Sequence, residues 1–248
     1  MIYDGFDFSP YLIVNDIRRP ILPPQSLTYK TVFGRDGAYF FRKQHEPIVI
    51  PVDVTIYEKN VSDYREKIRF LSGKLNKSKP KPLIFSDEPD RYIEGIIQDT
   101  TELEEVLTVG QGTLHFFCPD PYYYAIEDEV FTFHSEGSHN FSREKGNTES
   151  LPIIEIEGSN SGGIITLKSD DTTINFDGDL FEGEILVFDS KLVTSYIVQT
   201  NGVKKSANND IDTMDFPFLR VGANQLEVTT EGNATVSEIR IYSRSRWT

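Results

Sequence analysis

"PIVIPVDVTIYEK", Pro47 to Lys59, decides the fold class of this chain. Apolar residues recur at every second position and β-branched side chains dominate, the period-two pattern of a strand with one buried face. Similar runs follow at "PLIFSDE", "RYIEGIIQDT", "LEEVLTVGQGTLHFFC" and "EVFTFHS". Within the fourth, Gly110 and Gly112 flank Gln111, which predicts a tight turn between two antiparallel strands. One segment has a helical period instead. In "NVSDYREKIRFLSGKLNKSKPKP", Tyr64, Ile68, Leu71 and Leu75 form one apolar stripe, with Asn60 or Ser62 as N-cap and Lys79-Pro80 as a stop. That predicts an amphipathic helix near 62–76 lying on a sheet, with Arg65, Glu66, Arg69 and Lys74 on its solvated face.

Between Ser135 and Ser150 the sequence "SEGSHNFSREKGNTES" loses apolar periodicity, and a domain boundary is expected there. The reading assigns residues 1–138 to a first domain and 148–248 to a second. Beyond it, strand-like runs recur at "LPIIEIEG", "GIITLKS", "TTINFDG", "GEILVFDS", "TSYIVQT", "LRVGANQLEVTTEG" and "VSEIRIYS". Short strands at this spacing without helices predict a β-sandwich or jelly roll. The expected fold class is mainly β: an N-terminal sandwich or barrel-like domain carrying one helix, then a C-terminal β-sandwich.

At 248 residues the chain is long enough for two such cores. Its net charge of −14 repels phosphate backbones and anionic lipid, so specific nucleic-acid binding is not expected. No apolar run reaches the length of a membrane span, and the start "MIYDGFDFSPYLIVNDIRRP" lacks the pattern of a Sec-type export signal. A single cysteine permits neither an intrachain disulfide nor a cysteine-based metal cage, which suits a protein made in a reducing cytoplasm.

Cys118, in "HFFCPDPYYYAIEDEV", would need a histidine to take its proton were it a nucleophile, but His115 is three residues away and on the opposite face of a strand. A buried inert thiol is the expectation. Histidines 45, 115, 134 and 139 show no zinc-ligand spacing. Asp170, Asp171, Asp177, Asp179, Glu182 and Glu184 crowd one stretch, yet their spacing departs from a calcium-binding loop and reads as two turns of an acidic sheet. Paired carboxylates alone would permit a glycoside hydrolase, but no nucleophile elbow, P-loop or dinucleotide fingerprint is present. Exposed tyrosines such as Tyr196 or Tyr242 would permit a carbohydrate-binding module, whereas the single tryptophan, Trp247, lies one residue from the end. Of Tyr122, Tyr123 and Tyr124, at least one is expected at an edge or interface. The segment "TVFGRDGAYFFRKQHEP", Thr31 to Pro47, reads as a hairpin projecting toward a neighbour, with an aromatic cluster at Tyr39, Phe40 and Phe41.

Several stretches together resemble one family, the distal tail proteins of long-tailed siphophages of Gram-positive bacteria and their prophages. They are "YDGFDFS", "FFCPDPYYY", "LPIIEIEGSNSGG", "GEILVFDS" followed by Asn201-Gly202, and "FPFLRVGANQLEV", in that order along nearly the whole chain. The resemblance implies a first domain that assembles into a hexameric ring continuing the lumen of the tail tube. It implies a galectin-like sandwich outside the ring, with "RIYSRSRWT" packing back near the first domain. It further implies a structural component of the virion tail tip, synthesised in the host cytoplasm, with no catalytic residues, metal or cofactor. Its partners would be the tail tube protein, the tape-measure protein and a tail-associated lysin, fibre or receptor-binding protein, with DNA passing through the lumen. A carbohydrate-binding module contacting cell-wall glycan through the second domain is the alternative.

Overall fold

The structure, a computed structural model, describes residues 1–98, 103–169 and 172–248. It divides into two compact units, Met1–Tyr124 and Ala125–Trp247. Both are built almost wholly from antiparallel strands, so the chain is mainly β.

The first unit contains β1 (Ile2–Tyr3), β2 (Phe6–Asp7), β3 (Ile13–Ile17), β4 (Gln25–Thr31), β5 (Ala38–His45), β6 (Ile48–Tyr57), α1 (Val61–Leu75), β7 (Lys81–Ile84), β8 (Arg91–Gln98), β9 (Leu103–Val106) and β10 (Val109–Cys118). Its main sheet runs β2-β1-β7-β8-β10-β6-β3, with β9 paired to β10. Strand β6 is the stretch quoted first above, and its alternation is literal: Ile48, Ile50, Val52, Val54 and Ile56 are buried. They pack with Tyr3, Phe8, Leu83, Phe85, Ile93, Leu114 and Phe116 in one core. Helix α1 begins at the expected place because the Asn60 side chain accepts a hydrogen bond from the Asp63 N–H at 2.8 Å. Tyr64 and Leu71 of its stripe are buried, while Ile68 and Leu75 pack half-buried at the rim.

The turn expected at Gly110-Gln111-Gly112 is not there. Those residues lie inside β10, paired from Val109↔Tyr57 to Cys118↔Ile48. The reversal comes earlier, at Leu107-Thr108, where Leu107 takes the left-handed conformation (φ 55°). Gly110 serves close approach rather than turning: a Cβ at this position would stand 2.0 Å from the Tyr64 hydroxyl oxygen.

After β11 (Tyr123–Ala125), which straddles the division, the second unit contains β12 (Val130–Phe133), β13 (Gly137–Arg143), β14 (Ile153–Asn160), β15 (Ile164–Ser169), β16 (Thr173–Phe176), β17 (Ile185–Asp189), β18 (Thr194–Val198), β19 (Lys204–Ser206), β20 (Gly222–Glu231), β21 (Ala234–Tyr242) and β22 (Arg246–Trp247). A six-stranded sheet, β12-β21-β14-β17-β18-β19, faces a four-stranded one, β13-β20-β15-β16. Ile154, Ile156, Leu186, Phe188, Ile239 and Ile241 from the first meet Ile165, Leu167, Ile174, Phe176, Leu226 and Val228 from the second. This shared core makes the unit a β-sandwich.

The polar stretch read as a linker contains strand β13, paired with β20 from Gly137↔Val228 to Arg143↔Gly222. Its inward positions are Gly137, His139, Phe141 and Arg143, so only one large apolar residue marks the buried face. Arg143 is fully buried, and its guanidinium donates to the carbonyls of Arg220 and Thr148. Nearby, the Glu129 carboxylate accepts from the backbone N–H groups of Glu144 (2.8 Å) and Lys145 (3.0 Å). Hydrogen bonds from a buried guanidinium to backbone carbonyls stand here in place of apolar alternation, so the strand leaves no periodic signal.

Candidate assembly surface

The feature that the core does not explain is the hairpin formed by β4 and β5. They pair only with each other, from Gln25↔His45 to Thr31↔Ala38, in a separate two-stranded sheet. Every residue from Gln25 to Gln44 is exposed, and His45 is half-buried. Period two places Gln25, Leu27, Tyr29 and Thr31 on one face, where Leu27 lies opposite Lys43 and Tyr29 opposite Phe40. The other face carries Ser26, Thr28 and Lys30 opposite Gln44, Arg42 and Tyr39. A bulge between Thr28 and Tyr29 leaves Phe41 as the extra residue on β5. The result is a ribbon with one apolar, aromatic face in open solvent, ending in a tip whose Phe33 is 107% exposed.

An isolated two-stranded hairpin is marginally stable in water, and its edges present unpaired backbone N–H and C=O groups. Large exposed apolar patches on such an element mark contact surfaces. Charge points the same way. From residue 25 to residue 45 the hairpin carries Lys30, Arg35, Arg42 and Lys43 against the single Asp36, in a chain of net charge −14. Arg35 packs over the Tyr39 ring, 4.7 Å from its centroid. Lys30, Arg42 and Lys43 form no ion pair with any described residue.

The candidate chemical residues occupy structural places. Cys118 is fully buried, its Sγ lies 3.7 Å from the Phe116 carbonyl oxygen, and burial followed by the charge of Asp120 pushes its pKa up to about 12. His115 lies on the opposite face of the same strand. His45 stacks on Tyr122, with ring centroids 5.6 Å apart, and His139 stacks on Phe133 at 4.2 Å. His134 lies 3.2 Å from Glu238. Phe116 points into the core and Phe117 to the other face, opposite Val49 and Ile96. Tyr124 is buried and donates to Asp120 at 2.8 Å, while Tyr122 and Tyr123 are half-buried.

Among the carboxylates, Glu184 is 7% exposed and accepts from the Phe181 N–H at 3.1 Å, closing the turn through Gly183 (φ 82°). Asp177 lies in the turn after β16, its N–H donating to the Asp210 carbonyl at 3.0 Å. Asp170 and Asp171 lie outside the described residues. Among those described, no group of three histidine, cysteine or carboxylate side chains is arranged to hold a metal ion. Tyr196 is covered by the Lys204 ammonium, 4.3 Å from the ring centroid, and Tyr242 donates to Glu155 at 3.3 Å. Both rings are half-buried on the outer face of the six-stranded sheet. No described helix is long and apolar enough to cross a membrane.

Comparison with known proteins matches each unit to a phage tail. Residues 6–118 fit the family model of the phage tail protein RIFT-related domain, and residues 145–247 fit that of the C-terminal domain of the siphovirus-type tail component. The distal tail protein of Bacillus phage SPP1 is 30% identical over 128 residues, 51% of this chain and 51% of that protein. The match thus spans about half the length of that curated relative. The crystal structure of the SPP1 protein, described as a paradigm of the hub of the adsorption apparatus in phages infecting Gram-positive bacteria, superposes with a TM-score of 0.78 at 20% identity, covering 100% of this chain and 98% of that one. A chain of the phage p2 baseplate, in its activated conformation with Sr, shares the fold more loosely, with a TM-score of 0.51 at 10% identity over 95% of this chain and 92% of that one.

A helix-bearing β domain followed by a β-sandwich, each matched to a tail component, defines the class: a two-domain phage tail protein. Within that class, the chain belongs to the distal tail protein family of siphophages.

Proposed function

We propose that this chain is a structural, non-catalytic protein of the phage tail tip. It forms a hexameric ring that joins the tail tube and tape-measure protein above to a fibre, lysin or receptor-binding protein below, and DNA passes through its lumen. Family membership supports this reading, and the observation that carries it is the solvent-exposed, basic and aromatic β4–β5 hairpin. A ring with cyclic symmetry requires two different patches on each protomer, joined head to tail until the rotation closes. The hairpin has the composition and exposure of one such patch. An acidic chain also suits a channel through which DNA must slide, because like charge suppresses phosphate binding.

The carbohydrate-binding reading has less support, since Tyr196 and Tyr242 offer partly covered rings rather than an open stacking platform. The reading as a ring is tested by the mass of the full chain in solution, measured by light scattering over a range of concentrations. Assembly depends on mass action, so the expected result is a ring whose population rises with concentration.

A further inference from the structure

The hairpin needs a receiving surface, and the first unit carries one of complementary character. Where β9 turns into β10, Val106 is 73% exposed, Leu107 81% and Val109 40%, and Tyr57, paired opposite Val109 on β6, is 59% exposed. Four apolar side chains thus stand open on one end of the sheet. Carboxylates accompany them. Glu105 is held by Arg65 at 2.7 Å, whereas Glu104, exposed beside Val106, forms no ion pair with any described residue. The β9–β10 end is therefore apolar with the negative charge of Glu104 beside it, and the apolar face of the β4–β5 hairpin carries the positive charge of Lys43.

We propose that the apolar face of the β4–β5 hairpin of one copy docks on the Tyr57, Val106, Leu107 and Val109 patch of a second copy, with Lys43, which shares that face with Leu27, Tyr29 and Phe40, set against Glu104. This rests on the ring reading above and names the two halves of its interface. Burying Leu27, Tyr29 and Phe40 against that patch removes apolar area from water on both sides. The charges select the partner and the register. They also oppose the simplest competing arrangement. A two-fold contact between the apolar faces of two hairpins would set Lys43 near its own copy, whereas a head-to-tail contact sets it against Glu104. The two patches are different surfaces of one protomer, as a closed ring requires.

Charge reversal with rescue tests the proposal on the full chain. Every substituted residue is exposed, so the variants should fold, and circular dichroism with thermal melting checks this. The Lys43→Glu variant and the Glu104→Arg variant should each weaken self-association about tenfold or more, about 1.4 kcal/mol per tenfold. The combined variant should recover most of that loss. Phe40→Cys with Leu107→Cys should give intermolecular disulfides on mild oxidation, because the native Cys118 is buried. If the hairpin variant dissociates the assembly while Glu104→Arg leaves it intact and no crosslink forms, the receiving patch is elsewhere and this inference falls while the ring stands. A wild-type chain that stays monomeric at its highest soluble concentration overturns both. If wild type binds vesicles containing anionic lipid, and the Lys43→Glu variant loses that binding with self-association unchanged, the hairpin is a membrane contact and the inference is overturned.

Discussion

Cys118 shows how a residue that looks reactive becomes inert through its position. It ends β10 on the inward face beside Phe116, and burial pushes its pKa up to about 12, so the reactive thiolate is scarcely populated at pH 8. A disulfide-exchange reagent should leave the native chain unlabelled over hours at pH 8 and label it within minutes in denaturant. Fast labelling of folded protein would show the thiol to be accessible. Gly110 shows the opposite case, a residue whose role no pattern announces. Adding a methyl there drives it into the Tyr64 hydroxyl, so Gly110→Ala should destabilise the first unit by about 1–3 kcal/mol. Removing that hydroxyl with Tyr64→Phe should restore much of the loss in thermal melting. An additive double mutant would mean that the strain lies elsewhere.

At the scale of elements, what could be read from the sequence depended on how each strand is satisfied. β6 buries five aliphatic side chains in strict alternation, and α1 presents its stripe and Asn60 cap, so both were visible in the sequence. β13 buries Arg143 and half-buries His139 beside a single Phe141, so it looks like a linker to any periodicity argument. β4 was missed for a different reason: with both faces in solvent, Gln25–Thr31 has no buried side to imprint a pattern. The aromatic cluster of β5 was legible, and the unpaired charge around it became meaningful only when the hairpin was seen to stand apart from the core. Replacing residues 26–44 by a short Gly-Ser turn should therefore barely change the melting temperature of the isolated chain, because no buried side chain is lost. The same deletion should abolish self-association. A large drop in melting temperature would show that the hairpin belongs to the core after all.

At the scale of the whole molecule, each unit has its own hydrophobic core, built from residues of that unit alone. The order of family-like stretches along the sequence anticipated the two-part layout. The division itself lies at Tyr124/Ala125, earlier than the polar segment suggested, because β12 and β13 pair with β21 and β20 near the end of the chain. Pairing across such a sequence distance leaves no local signal. Among the described residues no group of three histidine, cysteine or carboxylate side chains is arranged to hold a metal ion, while the largest anomaly on the surface is an apolar, basic hairpin that asks for a partner. The measurement that tests this account most directly is the solution mass of the full chain, followed by light scattering from low to high concentration. The account predicts growth from the 28.3 kDa protomer to a closed species near six times that mass, with no larger open polymer. A mass that stays at one protomer throughout, or one that stops at a two-fold dimer, would contradict it.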